Sequence, residues 1–283
     1  MRIRKKRKMK IAKIQENLIN NPWLITQDAY LGMQFAFEQY LESGTVGQSE
    51  VEEILARDFV TDNIAVVPVQ GTLMRGVSPA VAEFFGITDT AVLKDKIIAL
   101  QSDDRVEGVM LDIDSPGGSA SGISEVGDAV ANLAKIKPVY ASVEGTMASA
   151  AYWIGSQANT IVASKSSKVG SIGVYLPVVD SSESYKAQGI HVELIKNKEA
   201  TYKGAGFDGT SLTDDQKEYL QEMVQDIFED FKGAVLKARP QVQAGTMRGQ
   251  VYLGSRAKSK QLVDMIGSFE DAMSMLNYEI NKK

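Results

Sequence analysis

The sequence predicts an α/β domain with a largely parallel sheet, and three observations carry that prediction. Between residues 64 and 163, β-branched and apolar runs alternate with segments of helical periodicity. Residues 106–113 are almost wholly apolar, as expected of a strand covered on both faces. Turns that contain Gly117 and Gly145 follow directly after two of the strands. Ligands bind parallel sheets at the carboxyl ends of the strands, so we expect a functional site near these turns.

The predicted elements follow one another in a βαβα order, which favours right-handed crossovers between parallel strands. Strands are expected at residues 64–70, 106–113, 139–143, 160–163 and 190–195. Helices are expected at residues 91–100, 123–134, 148–157 and 213–238, with two short helices between 254 and 273. The long helix begins with a capping box, Thr213-Asp-Asp-Gln216.

Residues 1–60 are predicted to form a separate helical region. Helices are expected there at residues 14–19, 27–41 and 50–56. The pattern changes to a β-branched run at Ile64, so we expect the domain boundary near residue 60. The main domain is then expected to cover residues 61–275, with a short tail at 276–283.

Composition narrows the class of protein. The chain has 283 residues, of which 44% are hydrophobic, and no cysteine. It can therefore bury a sizeable core, and no catalytic or metal-binding role can fall to a thiolate. Residues 11–21 are amphipathic and charged, unlike the apolar segment of a signal peptide, and no run of eighteen apolar residues occurs. We expect no signal peptide, no membrane anchor and a cytoplasmic location.

The first ten residues contain seven Lys or Arg and no acid, whereas the whole chain has a net charge of −5. Such a basic arm either binds nucleic acid or a partner, or is a solvated terminus. We favour the solvated terminus and do not expect nucleic acid as a partner.

The stretch Gly145-Thr-Met-Ala-Ser149-Ala-Ala-Tyr-Trp153 places one serine at the start of a predicted helix. The first N–H groups of a helix have no partner within it, and its dipole is positive at this end. Both features suit an oxyanion. The earlier segment Asp112-Ile-Asp-Ser-Pro-Gly-Gly118 ends a strand in a glycine pair and exposes further N–H groups. Together the two segments resemble half of an acyl-transfer site.

Other interpretations of these segments remain open. Glycine-rich turns also bind phosphates, but residues 117–122 have neither the Gly-x-Gly-x-x-Gly order nor a Gly-Lys-Ser/Thr sequence. We therefore expect no nucleotide, metal or other cofactor, and a simple tight turn is the plainer alternative. Asp112 and Asp114 lie on one face near the end of a strand, so we expect them to form structural hydrogen bonds.

A serine nucleophile needs a base, and the chain has a single histidine, His191, in the predicted strand 190–195. A lone strand histidine is more often structural. A lysine can replace histidine when burial keeps its amine neutral. Lys203 follows the predicted strand and is flanked by small residues and a tyrosine, which is compatible with burial. The residues alone leave the choice of base open.

At this point the chain resembles the Ser-Lys peptidases of the signal peptide peptidase A family and the related phage capsid maturation (prohead) proteases. The resemblance covers about residues 62–274. It rests on an ordered set of motifs: Asp114-Ser-Pro-Gly-Gly118, Ala148-Ser-Ala-Ala-Tyr-Trp153, Gly170-Ser-Ile-Gly-Val174, Tyr202-Lys-Gly204, Val251-Tyr-Leu-Gly254 and Leu262-Val-Asp264.

The resemblance implies a Clp-protease/crotonase-like fold of repeated β-β-α units. It also implies Ser149 as nucleophile and Lys203 as general base. The N–H groups of Gly117 and Ala150 would form the oxyanion hole, and the hydroxyl of Ser171 would position the lysine amine.

The resemblance further implies protein substrates and a homo-oligomer, in which the base could come from a neighbouring subunit. The segment Asn21-Pro-Trp-Leu-Ile-Thr-Gln-Asp-Ala-Tyr30 is similar to the opening of phage prohead proteases. We therefore favour an endopeptidase that cleaves scaffold or capsid proteins during phage head maturation. The alternatives are a cellular peptidase that degrades signal peptides, a crotonase-like protein that binds acyl thioesters, and an inactive structural member.

Overall fold

The computed structural model describes residues 22–43, 60–61 and 63–282. The basic arm and the helices predicted at residues 14–19 and 50–56 lie outside the described residues, and the boundary near residue 60 stays a prediction. The described chain divides into two compact units. The smaller contains residues 22–23 and Val174–Glu229, and the larger contains residues from Leu24–Gly173 and from Asp230 onward.

The strands are β1 (Trp23–Ile25), β2 (Val60–Thr61), β3 (Ile64–Met74), β4 (Ile87–Asp89), β5 (Gly108–Ser119), β6 (Val139–Val143), β7 (Thr146–Ala148), β8 (Thr160–Ala163), β9 (Lys168–Gly170), β10 (Val251–Leu253) and β11 (Met265–Ile266). The helices are α1 (Gln27–Ser43), α2 (Pro79–Phe85), α3 (Thr90–Gln101), α4 (Ile123–Leu133), α5 (Ala150–Gly155), α6 (Ser182–Ala187), α7 (Asp214–Ala238), α8 (Gly254–Ser259) and α9 (Phe269–Ile280). A 3-10 turn covers Ala244–Thr246.

The long strand β5 belongs to two sheets of the larger unit. In the first it lies between β3 and β6, and β8 continues that sheet beyond β6. In the second it pairs with β7, and β9 continues that sheet beyond β7. All these pairs are parallel, whereas β2–β3 and β9–β10 are antiparallel. The unit β6-β7-α5 thus adds one strand to each sheet, which confirms the predicted α/β class with β-β-α units.

The strand predicted at residues 190–195 is wrong. These residues form no strand, and the side chains of Ile190 and Ile195 are 45% and 94% exposed. A strand requires a neighbouring strand and, in an amphipathic pattern, a face to bury. The capping box of α7 is confirmed, because Thr213 Oγ1 accepts the Gln216 N–H and Gln216 Oε1 accepts the Thr213 N–H.

Helix α5 is buried along its whole length in the larger unit. The Tyr152 hydroxyl donates to the Leu262 carbonyl oxygen at 2.9 Å. The ring of Trp153 stacks on that of Phe231, with centroids 4.9 Å apart. These contacts fix the helix that begins directly after Ser149. Among the described residues, no helix is both long enough and apolar enough to cross a membrane.

Candidate active site

Ser149 lies between β7 and α5, in a backbone conformation that residues with a side chain avoid. Its φ is 55° and its ψ is −118°. Such a conformation costs about 1–3 kcal/mol and is found mainly at functional sites. A sharp strand-to-helix turn of this kind presents a serine hydroxyl at the end of a sheet. The residue is 1% exposed, and its Oγ has no hydrogen-bond partner among the described residues.

The backbone of the turn at Ser149 is fixed by a hydrogen bond to a strand of the second sheet. The Ser149 N–H donates to the carbonyl oxygen of Gly170, the last residue of β9, at 2.8 Å. The next residue, Ser171, also has a positive φ, of 54°, and its N–H donates to the Gln250 carbonyl oxygen at 2.7 Å. Ser171 is 9% exposed. The structure therefore brings Ser171 into the backbone network that fixes Ser149.

Gly117 lies against Ser149, as the ends of parallel strands predict. A Cβ added at Gly117 would come 3.0 Å from the Ser149 Cβ and 2.0 Å from the Leu24 carbonyl oxygen. Its φ of 104° is also one that glycine alone adopts easily. Only glycine therefore lets the backbone approach the serine this closely.

The Gly117 N–H has an acceptor that sequence analysis did not identify. It donates to the Ser115 Oγ at 3.2 Å, and the Ser115 hydroxyl in turn donates to the Gly71 carbonyl oxygen at 2.6 Å. At this length the Gly117 N–H can donate to a second acceptor at the same time, as in a bifurcated hydrogen bond. Ala150 is the first residue of α5, so its N–H has no partner within the helix. Both predicted oxyanion donors thus lie beside Ser149.

Two acids, Asp112 and Asp114, lie in the middle of β5. The Gln70 side chain donates to Asp112 Oδ2 at 3.4 Å, and the Thr146 N–H donates to Asp114 Oδ1 at 2.9 Å. The hydrogen-bonding roles predicted for both acids are therefore confirmed. Burial raises the pKa of Asp112, and the charges of Glu144 and Asp114 raise it further.

The described residues contain no group of His, Asp or Glu side chains arranged to hold a metal ion.

Lys203 belongs to the smaller unit, whereas Ser149, Gly117, Ala150 and Ser171 belong to the larger one. The lysine side chain is exposed, so the expected burial of its amine is not found in this chain. Within residues 174–229 no apolar side chain is fully buried. The small residues on either side of Lys203 therefore do not place its amine in an apolar core.

The loop that carries Lys203 is nevertheless well held in the smaller unit. The Gln216 side chain donates to the Thr201 carbonyl oxygen at 3.1 Å. The rings of Tyr202 and Tyr219 stack with their centroids 5.0 Å apart. Helix α7 thus fixes the two residues that directly precede Lys203. His191 is also exposed and lies in the irregular segment that replaces the predicted strand.

The structure is similar to solved structures of the crotonase type. It matches an enoyl-CoA hydratase/isomerase family protein from Silicibacter pomeroyi over 80% of this chain and 81% of that chain. The TM-score is 0.45 and the sequence identity is 14%.

Three relatives are more similar in sequence. A Methanocaldococcus jannaschii protein is 39% identical over 64% of this chain and 59% of its own length. Protease 4 of Haemophilus influenzae is 32% identical over 87% of this chain and 38% of its own length. Capsid assembly protease C of Escherichia phage lambda is 29% identical over 78% of this chain and 50% of its own length. The chain thus spans less than two thirds of each relative.

The motif that contains Ser149 and the motifs that follow it in sequence lie within a family match. Residues 131–282, more than half of the chain, match the family described as Peptidase family S49. The match includes Ser149, Ala150, Ser171 and Lys203. The protein belongs to peptidase family S49.

Proposed function

We propose that the protein is a serine endopeptidase in which Ser149 is the nucleophile. The observation that carries this proposal is the strained turn at Ser149, with φ of 55° and an unpartnered, buried Oγ. A structural serine at a helix start would use its hydroxyl to cap the helix, and Ser149 makes no such bond. The neighbouring Gly117 and Ala150 N–H groups supply donors for the oxyanion of a tetrahedral intermediate.

We assign the role of general base to Lys203, with support from the motif order and from the chain's single, exposed histidine. In the proposed step, an unprotonated Lys203 amine would take the proton of the Ser149 hydroxyl as Oγ attacks the peptide carbonyl carbon. The resulting ammonium would protonate the leaving amine, which frees the first product. Water would then attack the acyl-serine by the same proton transfers, releasing the acid and restoring both groups. The Ser171 hydroxyl would hold the lysine amine in place.

The proposed substrates are scaffold or capsid proteins of a phage head. The similarity to the lambda capsid assembly protease over 78% of this chain supports this choice. The similarity to Protease 4 over 87% of this chain favours a second candidate, a cellular peptidase that degrades signal peptides. We place the phage role first because residues 21–30 are similar to the opening of phage prohead proteases.

The test is reaction of the purified chain with a fluorophosphonate probe and with two substrates, a phage scaffold protein and a synthetic signal peptide. Wild type should be labelled at Ser149 and should cut the scaffold protein, and Ser149→Ala should do neither. Labelling with cleavage of the signal peptide alone would favour the cellular role. A wild-type chain that is neither labelled nor able to cut either substrate would refute the peptidase assignment.

A further inference from the structure

The turn that leads to Ser149 is anchored at its beginning by a side chain from another strand. Asp114 lies in the middle of β5, and its Oδ1 accepts the backbone N–H of Thr146 at 2.9 Å. Thr146 is the first residue of β7, three positions before Ser149. The carboxylate thus sets where the strand that delivers the serine begins.

Gly145 has a specific reason to be glycine, and that reason is Asp114. Gly145 is not among the glycines of positive φ, so its backbone conformation suits any residue. A Cβ at this position would lie 2.3 Å from Asp114 Oδ1, 2.5 Å from Cγ and 2.7 Å from Oδ2. The three nearest atoms are therefore the carboxyl group itself. The absence of a side chain at position 145 creates the space that the carboxylate occupies.

The segment between this anchor and the serine has little freedom. Strand β7 has three residues, and Met147 at its centre pairs with Ser115 of β5. At its far end, the Ser149 N–H is held by the Gly170 carbonyl oxygen. A displacement of Thr146 would therefore be transmitted along three residues to the strained turn.

We propose that Asp114 is a positioning residue for Ser149, acting through the Thr146 N–H and requiring glycine at position 145. This inference rests on the proposed role of Ser149 as nucleophile. Asp114 does not touch the reacting atoms in this scheme, and its negative charge is not needed. What is needed is an oxygen acceptor of the right size in the space over Gly145.

The first experiment compares Asp114→Ala with Asp114→Asn. The alanine variant loses the acceptor, and we expect the rate of labelling of Ser149 by a fluorophosphonate to fall about tenfold to a hundredfold, as misplaced reacting groups do. The loss should appear in kcat for peptide cleavage, with KM little changed. Asn keeps a carbonyl oxygen and nearly the same shape, so it should restore most of the rate.

The control for charge is Asp128→Ala, which removes an exposed carboxylate from α4 and should leave the rate unchanged. Equal losses in Asp114→Ala and Asp114→Asn would overturn the proposal, because the carboxylate charge would then matter and not the acceptor. A loss confined to KM would also overturn it, because substrate binding and not serine placement would depend on Asp114.

The second experiment tests the pairing of Asp114 with Gly145. Gly145→Ala in the wild-type background should lower both the unfolding midpoint and the labelling rate, since the new methyl group displaces the carboxylate. In the Asp114→Ala background the same change should cost little, because the three atoms it would strike are gone. Gly233→Ala is the matched control, since a Cβ there meets nothing within 4 Å. Equal costs of Gly145→Ala in both backgrounds would overturn the proposal.

The two experiments separate this inference from the proposed function. A wild-type chain that is never labelled at Ser149 would refute the nucleophile assignment. The unfolding midpoints of wild type, Asp114→Ala, Gly145→Ala and the double variant would then still decide whether Asp114 and Gly145 fix the turn together.

Discussion

The backbone N–H of Ser149 donates to the carbonyl oxygen of Gly170 at 2.8 Å, and this bond joins two strained turns. Ser149 and Ser171 both have a positive φ, of 55° and 54°. Each lies directly after a strand of the second sheet, β7 or β9. The sheet therefore stabilises backbone conformations that neither serine would adopt alone, and it does so at the proposed nucleophile.

The strain at Ser149 predicts that replacing the serine by glycine stabilises the protein relative to replacing it by alanine. Glycine adopts φ of 55° without a Cβ clash, which relieves about 1–3 kcal/mol, while its greater freedom when unfolded costs about 0.5–1 kcal/mol. We expect Ser149→Gly to exceed Ser149→Ala in free energy of unfolding by about 1 kcal/mol. Calorimetry of the two variants, both inactive, measures the difference.

The control for this comparison is the same pair of replacements, by glycine and by alanine, at Asp128, an exposed residue in the middle of α4. Glycine in a helix is less stable than alanine by about 1 kcal/mol, so the sign should reverse there. The same sign at both positions would contradict the assignment of strain to Ser149.

Gly117→Ala is predicted to abolish most activity. The new methyl group would meet the Leu24 carbonyl oxygen at 2.0 Å and the Ser149 Cβ at 3.0 Å, so the backbone N–H must move away from the serine. Loss of one oxyanion donor costs about a hundredfold to a thousandfold in kcat. The measurement is kcat for peptide cleavage, with Gly233→Ala as the control for a tolerated glycine substitution. Activity within threefold of wild type would argue against Gly117 as an oxyanion donor.

The sequence was sufficient to predict that Ser149 and Gly117 meet, because each follows a predicted strand and parallel strands end at one edge of a sheet. The strand predicted at residues 106–113 in fact continues through Gly117 to Ser119, where it pairs with β3. It could not predict the positive φ of Ser149 and Ser171, which depends on bonds from Gly170 and Gln250 across the fold. The role of Ser115 as acceptor for the Gly117 N–H was missed for the same reason. The Ser-Pro-Gly-Gly motif was the available signal, since a serine two residues before a glycine can accept its N–H.

Local patterns were misleading in the smaller unit. The apolar residues at 190–195 predicted a strand, but no neighbouring strand takes them up. The small residues around Lys203 indicated burial, yet the side chain is exposed. Burial depends on what packs against a residue, and neighbours in sequence do not determine it. The catalytic role of Lys203 therefore stays a prediction.

The ion pair between Arg239 and Asp264 predicts an acid-dependent loss of stability. Both terminal nitrogens of Arg239 donate to the carboxylate, at 2.9 and 2.6 Å, and the arginine is 3% exposed. Burial alone would raise the pKa of Asp264, but the hydrogen bonds and charge of Arg239 outweigh it and hold that pKa below 3.8. A carboxyl group with a lowered folded-state pKa stabilises the fold above the unfolded pKa. That stability is lost as pH falls through the folded pKa.

We therefore expect Asp264→Asn to destabilise the protein at neutral pH by about 3–5 kcal/mol, since it leaves a buried arginine unpaired. The difference from wild type should shrink as pH falls below about 4, where Asp264 of the unfolded state is protonated first, and should be lost as pH passes through the lower folded-state pKa. Chemical unfolding at pH 7 and pH 3 measures both values. Asp128→Asn is the matched control and should differ from wild type at neither pH. A penalty for Asp264→Asn that is equal at both pH values would show that the charge pair does not carry the stability.

Substitution of Lys203 tests the proposed base, because a general base must be able to lose its proton. Lys203→Ala removes the amine. Lys203→Arg keeps a positive charge of similar reach, but the guanidinium stays protonated and cannot accept the serine proton. We expect both variants to lose at least about a hundredfold in the labelling rate of Ser149, in line with the usual contribution of general base catalysis.

Lys198→Ala should retain that rate, because Lys198 is an exposed lysine in the same loop region and lies outside the matching motif. Comparing the alanine and arginine variants separates two roles that one substitution would confuse. If Lys203 only attracted substrate by its charge, Lys203→Arg would keep most of the activity and Lys203→Ala would lose it. Loss in both variants, with unfolding midpoints near that of wild type, would show that a positive charge at position 203 is not sufficient and would support a Ser149–Lys203 dyad.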